Sequence, residues 1–297
     1  MDYSVIIPVY NASKYIEKAV ESALQFNFVN EVVLIEDGSE DESLSVCKKL
    51  QNNYARVKLY THPENMNKGA GATRNLGIEK ATSEFISFLD ADDFFLPNRF
   101  DIEREIFKNN PNADGVYGAI GCHYYNLNKN KQTFYNQLTT INYSIPPEDV
   151  LKTITGLNKN AEGNFSLIGF TVKKSKILEH KITFNESLRL HQDTAFIYHM
   201  SLVLNLFSGS IKEPVSLRGV HDDNRITSNP INSPKFVLNK IKFWNAALKL
   251  FKKHPSNWRF KILAKSQLYY FKNQNKSKIK AFFSTKYLSL IFRFLKH

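Results

Sequence analysis

The first third of the chain alternates between short apolar runs and longer stretches with the spacing of a helix. The apolar runs have the length of buried strands, and they cover residues 4–10, 31–35, 57–60 and 85–89. The stretches between them predict helices over about residues 14–26, 41–50 and 69–81. Strands that alternate with helices are typical of a sheet with helices on both faces. We therefore predict an α/β fold, with a Rossmann-like, doubly wound, mostly parallel sheet.

The pattern after this part is less regular. Further strands are predicted at residues 115–118, 121–125 and 215–221, with a polar hairpin tip at 126–131. Residues 194–211 are interpreted as one buried helix leading into a turn at Gly209. Six polar residues in that stretch argue against a membrane span. The spacing then predicts three more helices, at 236–253, 255–272 and 276–296.

The strand at residues 85–89 ends in three acids, Asp90, Asp92 and Asp93. Burial of a carboxylate without a partner costs several kcal/mol, so we expect all three at the open carboxyl edge of the sheet, where such sheets bind ligands. An Asp-x-Asp step suits a hard divalent cation such as Mg²⁺ or Mn²⁺. The alternative is a solvated loop with an Asp cap, followed by a helix with Pro97 near its first turn.

A second strand end is also acidic, because Glu36 and Asp37 follow the run at 31–35. Two acidic ends in one parallel sheet indicate one crevice. Small residues at 69–72 would let a ligand approach the start of the next helix, and they leave Lys68 and Arg74 available to phosphate. The spacing does not form a dinucleotide-binding fingerprint, and a solvated helix face remains the alternative for each basic residue.

Composition restricts the class of protein. The chain has 297 residues, 42% of them apolar, and two cysteines, which indicates a globular protein without a disulfide framework. We see no secretory signal and expect a cytoplasmic protein. The net charge of +12 is uneven: residues 224–297 hold 17 Lys or Arg and no acid, whereas the other 23 bases share residues 1–223 with all 28 acids. Such asymmetry predicts a basic tail that meets a polyanion or an anionic surface.

Four segments together resemble family 2 glycosyltransferases. They are Ser4-Val5-Ile6-Ile7-Pro8-Val9-Tyr10-Asn11, Val33-Leu34-Ile35-Glu36-Asp37-Gly38-Ser39, Gly71-Ala72-Thr73-Arg74-Asn75-Leu76-Gly77 and Phe88-Leu89-Asp90-Ala91-Asp92-Asp93. The resemblance implies a GT-A fold, a nucleotide-sugar donor, a divalent cation (Mn²⁺ or Mg²⁺) and inversion at the anomeric carbon. It favours UDP as the nucleotide, and it makes residues 1–118 the donor-binding half, 119–232 the acceptor and catalytic half, and 233–297 a basic helical extension.

The resemblance also implies a donor site. Its residues would be Pro8, Tyr10, Asn11, Asp37, Lys68, Arg74, Asp90, Ala91 and Asp92. Pro8 and Tyr10 resemble the wall beside the base, and Asp37 resembles the carboxylate that accepts from a uracil N–H. Asp90 would face the ribose and Asp92 would hold the metal on the diphosphate. The chemistry agrees, since a carboxylate needs a cation between itself and a phosphate.

Later segments resemble the acceptor side of the same family. Residues 164–174 are similar to its acceptor-side strand, residues 184–189 resemble the approach to its catalytic helix, and that helix would start at His191. Asp193, at the start of the helix after His191, falls on the position of the general base. Gln192 stands where the family usually has Glu, so the resemblance does not establish how the acceptor is contacted or how the base is positioned here. The alternative for Asp193 is a helix N-cap. His221, at the end of the strand at 215–221, resembles a metal or diphosphate ligand, and Arg225 is a weaker candidate for the diphosphate.

The basic tail permits two interpretations. Residues 276–297 combine lysines with aromatic and aliphatic side chains, as an interfacial membrane anchor does, and each Lys or Arg near an anionic leaflet adds about 1 kcal/mol. The alternative is a helical cap packed on the catalytic domain. We therefore predict an inverting, metal-dependent glycosyltransferase, peripheral on the inner face of a bacterial-type membrane, with a surface polysaccharide, lipooligosaccharide or other glycolipid as acceptor.

Two other functions are compatible with parts of the pattern. A nucleotidyltransferase acting on a sugar phosphate would also place carboxylates and a cation at a strand end. A nucleic-acid-binding module would use the basic tail on phosphates, but no recognisable nucleic-acid motif accompanies that tail, so no nucleic-acid partner is expected.

Overall fold

The structure is a computed structural model that describes residues 1–125, 138, 140–141, 143–158, 160, 164–221, 233–254, 257–274 and 278–296. The hairpin tip predicted at 126–131 and the residues Arg225 and Pro255 lie outside these ranges.

The strands of the described residues form two sheets. They are β1 Tyr3–Val9, β2 Val29–Glu36, β3 Val57–Thr61, β4 Phe85–Phe88, β5 Phe94–Phe95, β6 Gly115–Tyr117, β7 Ile120–Tyr124, β8 Phe170–Lys173, β9 Leu206–Ser208 and β10 Ser216–Val220. The larger sheet has the order β3-β2-β1-β4-β8-β6-β9, and the smaller one the order β5-β10-β7.

Helices cover both faces of the large sheet, and three more helices come after the last strand of the described residues. Over the described ranges they are α1 Ile16–Leu24, α2 Ser43–Asn53, α3 Ala70–Lys80, α4 Asp101–Asn109, α5 Val150–Ile154, α6 Lys174–Glu179, α7 Gln192–Val203, α8 Pro234–Lys252, α9 Trp258–Asn273 and α10 Lys278–Lys296. Short 3-10 turns lie at Pro63–Asn65, Pro147–Asp149 and Leu167–Gly169.

The large sheet is parallel except for β8, which runs antiparallel to both β4 and β6. Strand β1 lies between β2 and β4, with Ile6 opposite Val33 on one side and Phe88 on the other. The chain therefore winds outward through β2 and β3 and then returns to the other side of β1. The gap between the carboxyl ends of β1 and β4 is the switch point at which open α/β sheets bind ligands.

The core has one layer on each face of this sheet, because alternate side chains of a strand point in opposite directions. Val5 and Ile7 pack with Ile16 of α1 and Leu50 of α2. Ile6 packs on the other face, in the cluster that holds residues of α3 and α7. The prediction of a doubly wound, mostly parallel sheet is confirmed.

The helices after residue 233 pack on the preceding part of the chain. Tyr198 of α7 shares a buried cluster with Phe243 and Phe251 of α8, Leu263 of α9 and Leu295 of α10. The predicted helical C-terminal extension is thus present, and α7 is the element on which it rests.

Three details of the predicted pattern are wrong. The strand at 164–174 is limited to β8, because only Phe170–Lys173 pair with β4 and β6, and Leu167–Gly169 form a 3-10 turn. Phe94–Phe95 form strand β5, because they pair with β10, so the next helix begins at Asp101 and Pro97 lies before it. Helix α7 ends at Val203 rather than continuing toward residue 211, because Leu206–Ser208 pair with β6 as strand β9. Within the described ranges, every helix is too short or too polar to cross a bilayer.

Candidate functional site

Two loops meet where β1 and β2 end. Pro8 lies opposite Ile35 near the end of β1, and Tyr10 and Asn11 follow, the latter with φ 51°. The Asn11 N–H donates to Ser39 Oγ at 3.0 Å, and Asn11 Oδ1 accepts from the Glu40 N–H at 2.9 Å. These bonds fix the loop after β1 against the loop after β2, so the predicted wall of the base site is an ordered edge.

Asp37 joins the loop after β2 to the start of α3. Its side chain is buried, and its two oxygens accept from the backbone N–H groups of Lys68 at 2.7 Å and Gly69 at 2.9 Å. His62 Nε2 lies 3.7 Å from Asp37 Oδ1. A carboxylate has about four lone-pair positions, so each oxygen of Asp37 keeps room for a further donor.

Asp90 is held by a cation from α3. The buried guanidinium of Arg74 makes an ion pair with Asp90 Oδ1 and lies 5.6 Å from the centre of the Phe184 ring. The Asp90 side chain keeps 40% of its surface exposed. One side of this carboxylate therefore faces a fixed protein cation, and another faces solvent at the switch point.

Asp92 and His221 are in contact, although 129 residues separate them. His221 Nε2 lies 3.1 Å from Asp92 Oδ2, and the imidazole stacks on Tyr15, the N-cap residue of α1, with centroids 4.4 Å apart and planes at 26°. Burial raises the pKa of the Asp92 carboxyl, and the neighbouring Asp90 adds to that rise. The Asp92 side chain is still 31% exposed, so it remains open to a ligand.

Asp93 does not share that openness. It is buried, and its Oδ1 accepts the Gly219 N–H of β10 at 2.8 Å. Burial raises the pKa of Asp93 well above its ordinary value, with further contributions from Asp90 and Asp92. The expectation that all three acids lie open at the edge is therefore wrong for Asp93, which ties the acidic loop to the small sheet.

Gly219 allows that tie because it has no side chain. A Cβ atom at this position would lie 2.0 Å from the carbonyl oxygen of Asp92 and 2.7 Å from the Tyr125 ring. The Asp92 backbone thus rests directly on β10, two residues before His221.

The start of α3 is covered by residues from the second half of the chain. A Cβ on Gly69 would meet the guanidinium of Arg189 at 2.3 Å, and a Cβ on Gly71 would meet Gln192 Oε1 at 2.6 Å. Arg189 also lies 3.3 Å from Asn67 Oδ1, and Lys68 is exposed. We expected a ligand to approach the backbone at residues 69–72, but at Gly69 and Gly71 this space is filled by the side chains of Arg189 and Gln192.

Asp193 lies in the first turn of α7 and is exposed. Its Oδ1 accepts from the Thr194 N–H at 2.8 Å, whereas the residue at the N-cap position is His191, with φ 62°. Burial lowers the pKa of the Lys240 ammonium on α8, and the Asp193 carboxylate opposes that shift. A cation of the C-terminal extension thus acts electrostatically on Asp193.

The donor atoms present fit a divalent cation. Asp92 offers a carboxylate and His221 an imidazole, a set that Mn²⁺ accepts, while Mg²⁺ needs one or two carboxylates and takes its other ligands from water and phosphate. The described residues contain no group of three or more His, Cys, Asp or Glu side chains that could hold a metal by themselves. The set therefore suits a cation that also binds a diphosphate.

Sequence reasoning missed several contributors to this site. Tyr15, Tyr125, Gly219, Arg189 and Lys240 all contact or face a predicted site residue. The small residue inside Arg218-Gly219-Val220-His221 is the one visible signal. Ala91 is buried between Asp90 and Asp92, and Arg225 lies outside the described residues.

Comparison with known families is decisive at the level of the family. The model of glycosyl transferase family 2 matches residues 4–168, which is more than half of the chain. The chain belongs to this family. The match covers the strands and loops that carry Asp37, Asp90 and Asp92.

Bacterial relatives agree with this membership. The glycosyltransferase GlyG of Streptococcus pneumoniae is 31% identical over 185 residues, which are 62% of this chain and 58% of GlyG. The minor teichoic acid biosynthesis protein GgaA of Bacillus subtilis is 28% identical over 206 residues, which are 67% of this chain and 43% of GgaA. The chain thus spans about half the length of these curated relatives.

A solved structure shares the fold. S. aureus TarS 1-349 in complex with UDP-GlcNAc superposes with a TM-score of 0.65 at 16% identity, over 100% of this chain and 90% of the other. The predicted GT-A fold is confirmed by this likeness, and at that identity the likeness concerns the fold alone.

Proposed function

We propose that the chain is an inverting glycosyltransferase that takes its sugar from a UDP-sugar. The observation that carries the proposal is the pair of half-exposed carboxylates, Asp90 and Asp92, at the switch point, with His221 in contact with Asp92. Family membership supports the reaction class, and the UDP-GlcNAc bound by TarS, which has the same fold, supports the nucleotide.

In this proposal the donor lies across the carboxyl ends of β1, β2 and β4. Pro8 and Tyr10 line the base, and Asp37 accepts from the uracil N–H with lone pairs not used by Lys68 and Gly69. Asp90 accepts from the ribose hydroxyls, with Arg74 as its positioning residue. Residues 1–118 form the donor half, and residues 119–232 the acceptor half.

Asp92 and His221 would hold Mn²⁺ or Mg²⁺, which supplies positive charge beside the diphosphate when bound. Lys68, exposed at the start of α3, adds a second cation at the same edge. Asp93 and Gly219 take no part in binding; they hold the acidic loop in place for the two ligands.

Transfer is one displacement. Asp193 accepts the proton of an acceptor hydroxyl while that oxygen forms a bond to the anomeric carbon. The bond from this carbon to the diphosphate oxygen breaks on the opposite side, and the nucleoside diphosphate leaves with the electron pair. The sugar configuration inverts, and no covalent enzyme intermediate forms.

The acceptor is a hydroxyl of a growing surface polymer or glycolipid. GgaA, a relative in this family, is named for teichoic acid biosynthesis, which supports a surface-polymer acceptor. We place the enzyme at the inner face of the cell membrane, where such acceptors are assembled on lipid carriers.

The test of the donor is release of nucleoside diphosphate from a panel of nucleotide sugars, with Mn²⁺ or Mg²⁺ and with a chelator. We expect release from one UDP-sugar only, and loss of that release with chelator. Release of pyrophosphate from a nucleoside triphosphate and a sugar phosphate would instead indicate a nucleotidyltransferase.

The test of the base compares two substitutions of Asp193. Asp193→Asn keeps an oxygen for the Thr194 N–H, so the fold should be unchanged, while a lost general base should lower the transfer rate by about 10²–10⁴-fold. Asp193→Ala also removes the hydrogen bond from the Thr194 N–H and should add a stability loss of about 0.5–1.5 kcal/mol. Calorimetry should give the same UDP affinity for parent and Asn variant. Transfer by Asp193→Asn within about threefold of the parent rate would assign the base elsewhere.

A further inference from the structure

Helix α10 has two apolar faces, and only one of them is used within the described chain. Ser284 and Leu295 are buried, and Leu288 and Ile291 are partly buried, so these positions form the face that packs inward. Tyr287, Leu290 and Phe294 recur at intervals of three and four residues on another side of the helix. Leu290 is 65% exposed and Phe294 61% exposed.

Helix α9 extends this second face. Its exposed Trp258 lies 6.5 Å from Phe294 between ring centroids, and its exposed Tyr269 lies 5.4 Å from Tyr287. The start of α9 thus meets the end of α10, and the two helices run antiparallel. We call the surface formed by Trp258, Tyr269, Tyr287, Leu290 and Phe294 the α9–α10 face. It holds five of the ten large exposed hydrophobic residues among the described residues.

Basic residues surround these side chains. On α9, Lys261, Lys265 and Lys272 share the helical stripe of Trp258 and Tyr269. On α10, Lys286 and Arg293 are exposed and adjoin the apolar stripe. No Asp or Glu occurs from position 224 to position 297, so the charged side chains of this part of the sequence are all basic.

We propose that the α9–α10 face binds the surface of an anionic phospholipid bilayer. Trp and Tyr side chains are suited to the headgroup region, Leu and Phe to the acyl boundary, and Lys and Arg to anionic lipid headgroups. A second copy of the chain fits less well, because it would bring two uniformly basic surfaces together. Nucleic acid would neutralise the cations but would leave Leu290 and Phe294 without apolar contacts.

The face lies flat on the membrane, since no helix of the described residues is long and apolar enough to cross it. α9 and α10 pack in one cluster with α8, and Lys240 of α8 acts on Asp193 of α7. Membrane contact would therefore be made by the same group of helices that borders the acceptor side of the crevice. The consequence for the acceptor rests on the proposed function, whereas binding to lipid stands on the α9–α10 face alone.

The experiment is flotation of the full chain with vesicles of phosphatidylcholine, alone or with about 30% phosphatidylglycerol. We expect binding to the mixed vesicles only. Leu290→Asp combined with Phe294→Asp should lower the bound fraction at least tenfold, because two apolar side chains that would enter the acyl boundary are replaced by anions. Both residues are exposed, so the packed face of α10 should stay intact. The matched control is Leu178→Asp on α6, where the leucine is 57% exposed, and it should bind like the parent.

A second pair of variants tests the charges. Lys286→Glu with Arg293→Glu should abolish binding to mixed vesicles at low salt. Lys48→Glu with Lys49→Glu on α2 changes the net charge equally, at exposed positions outside the face, and should leave binding within about twofold. The UDP affinity of every variant is also measured. A variant that loses vesicle binding but keeps its UDP affinity has lost the lipid contact and not the donor site.

Three results would overturn the proposal. The first is a parent protein that ignores mixed vesicles. The second is an equal loss for Leu178→Asp or for the α2 charge variant, which would indicate a general effect. The third is a parent dimer, seen by sedimentation, that Leu290→Asp with Phe294→Asp dissociates; the face would then be an interface between two copies.

Discussion

Replacement of Arg74 by methionine tests whether the buried ion pair with Asp90 prepares the donor site. Methionine has a similar length and can keep the apolar contact with Phe184, so the change removes mainly the charge and the hydrogen-bond donors. Asp90 then loses its protein partner but keeps its exposed surface.

The expected loss of stability is modest. Removal of one partner from a fully buried ion pair costs about 3–5 kcal/mol, but a pair in water is worth only about 0.2–1 kcal/mol. Asp90 is 40% exposed and can be hydrated when Arg74 is absent, so we expect a loss of about 1–2 kcal/mol in the free energy of unfolding. The chain should therefore still fold.

The effect on the donor follows from the orientation of Asp90. A hydrogen bond to a charged group contributes about 1.5–3 kcal/mol, and a carboxylate that must be reoriented should lose about half of this. That loss, about 0.75–1.5 kcal/mol, corresponds to an affinity for UDP that is weaker by about fourfold to thirteenfold. Because Asp90 faces the ribose in this proposal, UDP and the UDP-sugar should weaken by the same factor.

Isothermal titration with UDP measures this affinity, and urea unfolding measures the stability. The matched control is Arg104→Met on α4, because Arg104 is exposed and stacks on Phe28 outside the crevice. Asp90→Asn should weaken UDP binding as well, and the double variant should be no weaker than Asp90→Asn alone, since Arg74 acts through Asp90. A folded Arg74→Met chain that binds UDP within about twofold of the parent would refute the reasoning.

Two further changes test other parts of the structure. Gly219→Ala would put a Cβ atom 2.0 Å from the Asp92 carbonyl oxygen, so we expect a loss of about 1–3 kcal/mol in unfolding and weaker metal-dependent UDP binding. Gly156→Ala is a control for binding only: its Cβ meets nothing nearer than 3.6 Å, and its φ of 74° should lower stability while UDP binding is unchanged. Unchanged melting and UDP affinity in Gly219→Ala would contradict the described contact. His199 has a pKa lowered from 6.5 to about 4, first by burial and then by the charges of His254, Lys253 and His180. The unfolded chain therefore takes up this proton first, and stability present above pH 6.5 is lost as the pH falls toward 4. After allowance for the partial exposure of His199, its protonation should contribute about 1 kcal/mol to the decrease in the free energy of unfolding between pH 7.5 and pH 5. Urea unfolding of His199→Gln should show a smaller loss by that amount, and an identical loss would assign the acid sensitivity to other groups.

Much of the fold is visible in the pattern of the sequence. Strands β1, β2 and β4 are fully buried or nearly so, and helices α1 to α3 separate the first four strands, so hydrophobic runs and helical spacing are both strong there. The errors fall where pairing over a long distance decides the structure. Phe94–Phe95 form a strand because they pair with β10. The helix that contains Asp193 ends before residue 206 because residues 206–208 pair with β6.

The candidate site remains a prediction as a set of residues, and the structure adds the contacts among those residues. Motif resemblance selected Asp37, Arg74, Asp90, Asp92, Asp193 and His221. The sequence pattern predicted that Arg74 would be available to a phosphate, whereas Arg74 forms an ion pair with Asp90. This ion pair was not predictable because it depends on the burial of α3 against Phe184. Tyr15 was invisible for a similar reason, since its stacking on His221 requires the small sheet to lie over the start of α1.

The acids of the crevice show why contacts matter more than residue type here. Asp37 and Asp93 are held by backbone N–H groups that lie 31 to 32 and 126 residues away, respectively, and a backbone donor cannot turn aside for a ligand. Asp90 and Asp92 are held by the side chains of Arg74 and His221, and both keep exposed surface. A side-chain partner can rotate or share its acceptor when a ribose or a cation arrives, so the second pair can exchange partners at low cost. Under the proposed function, Asp90 and Asp92 are therefore the carboxylates that would change partners when the donor binds, while Asp93 fixes the loop that carries them.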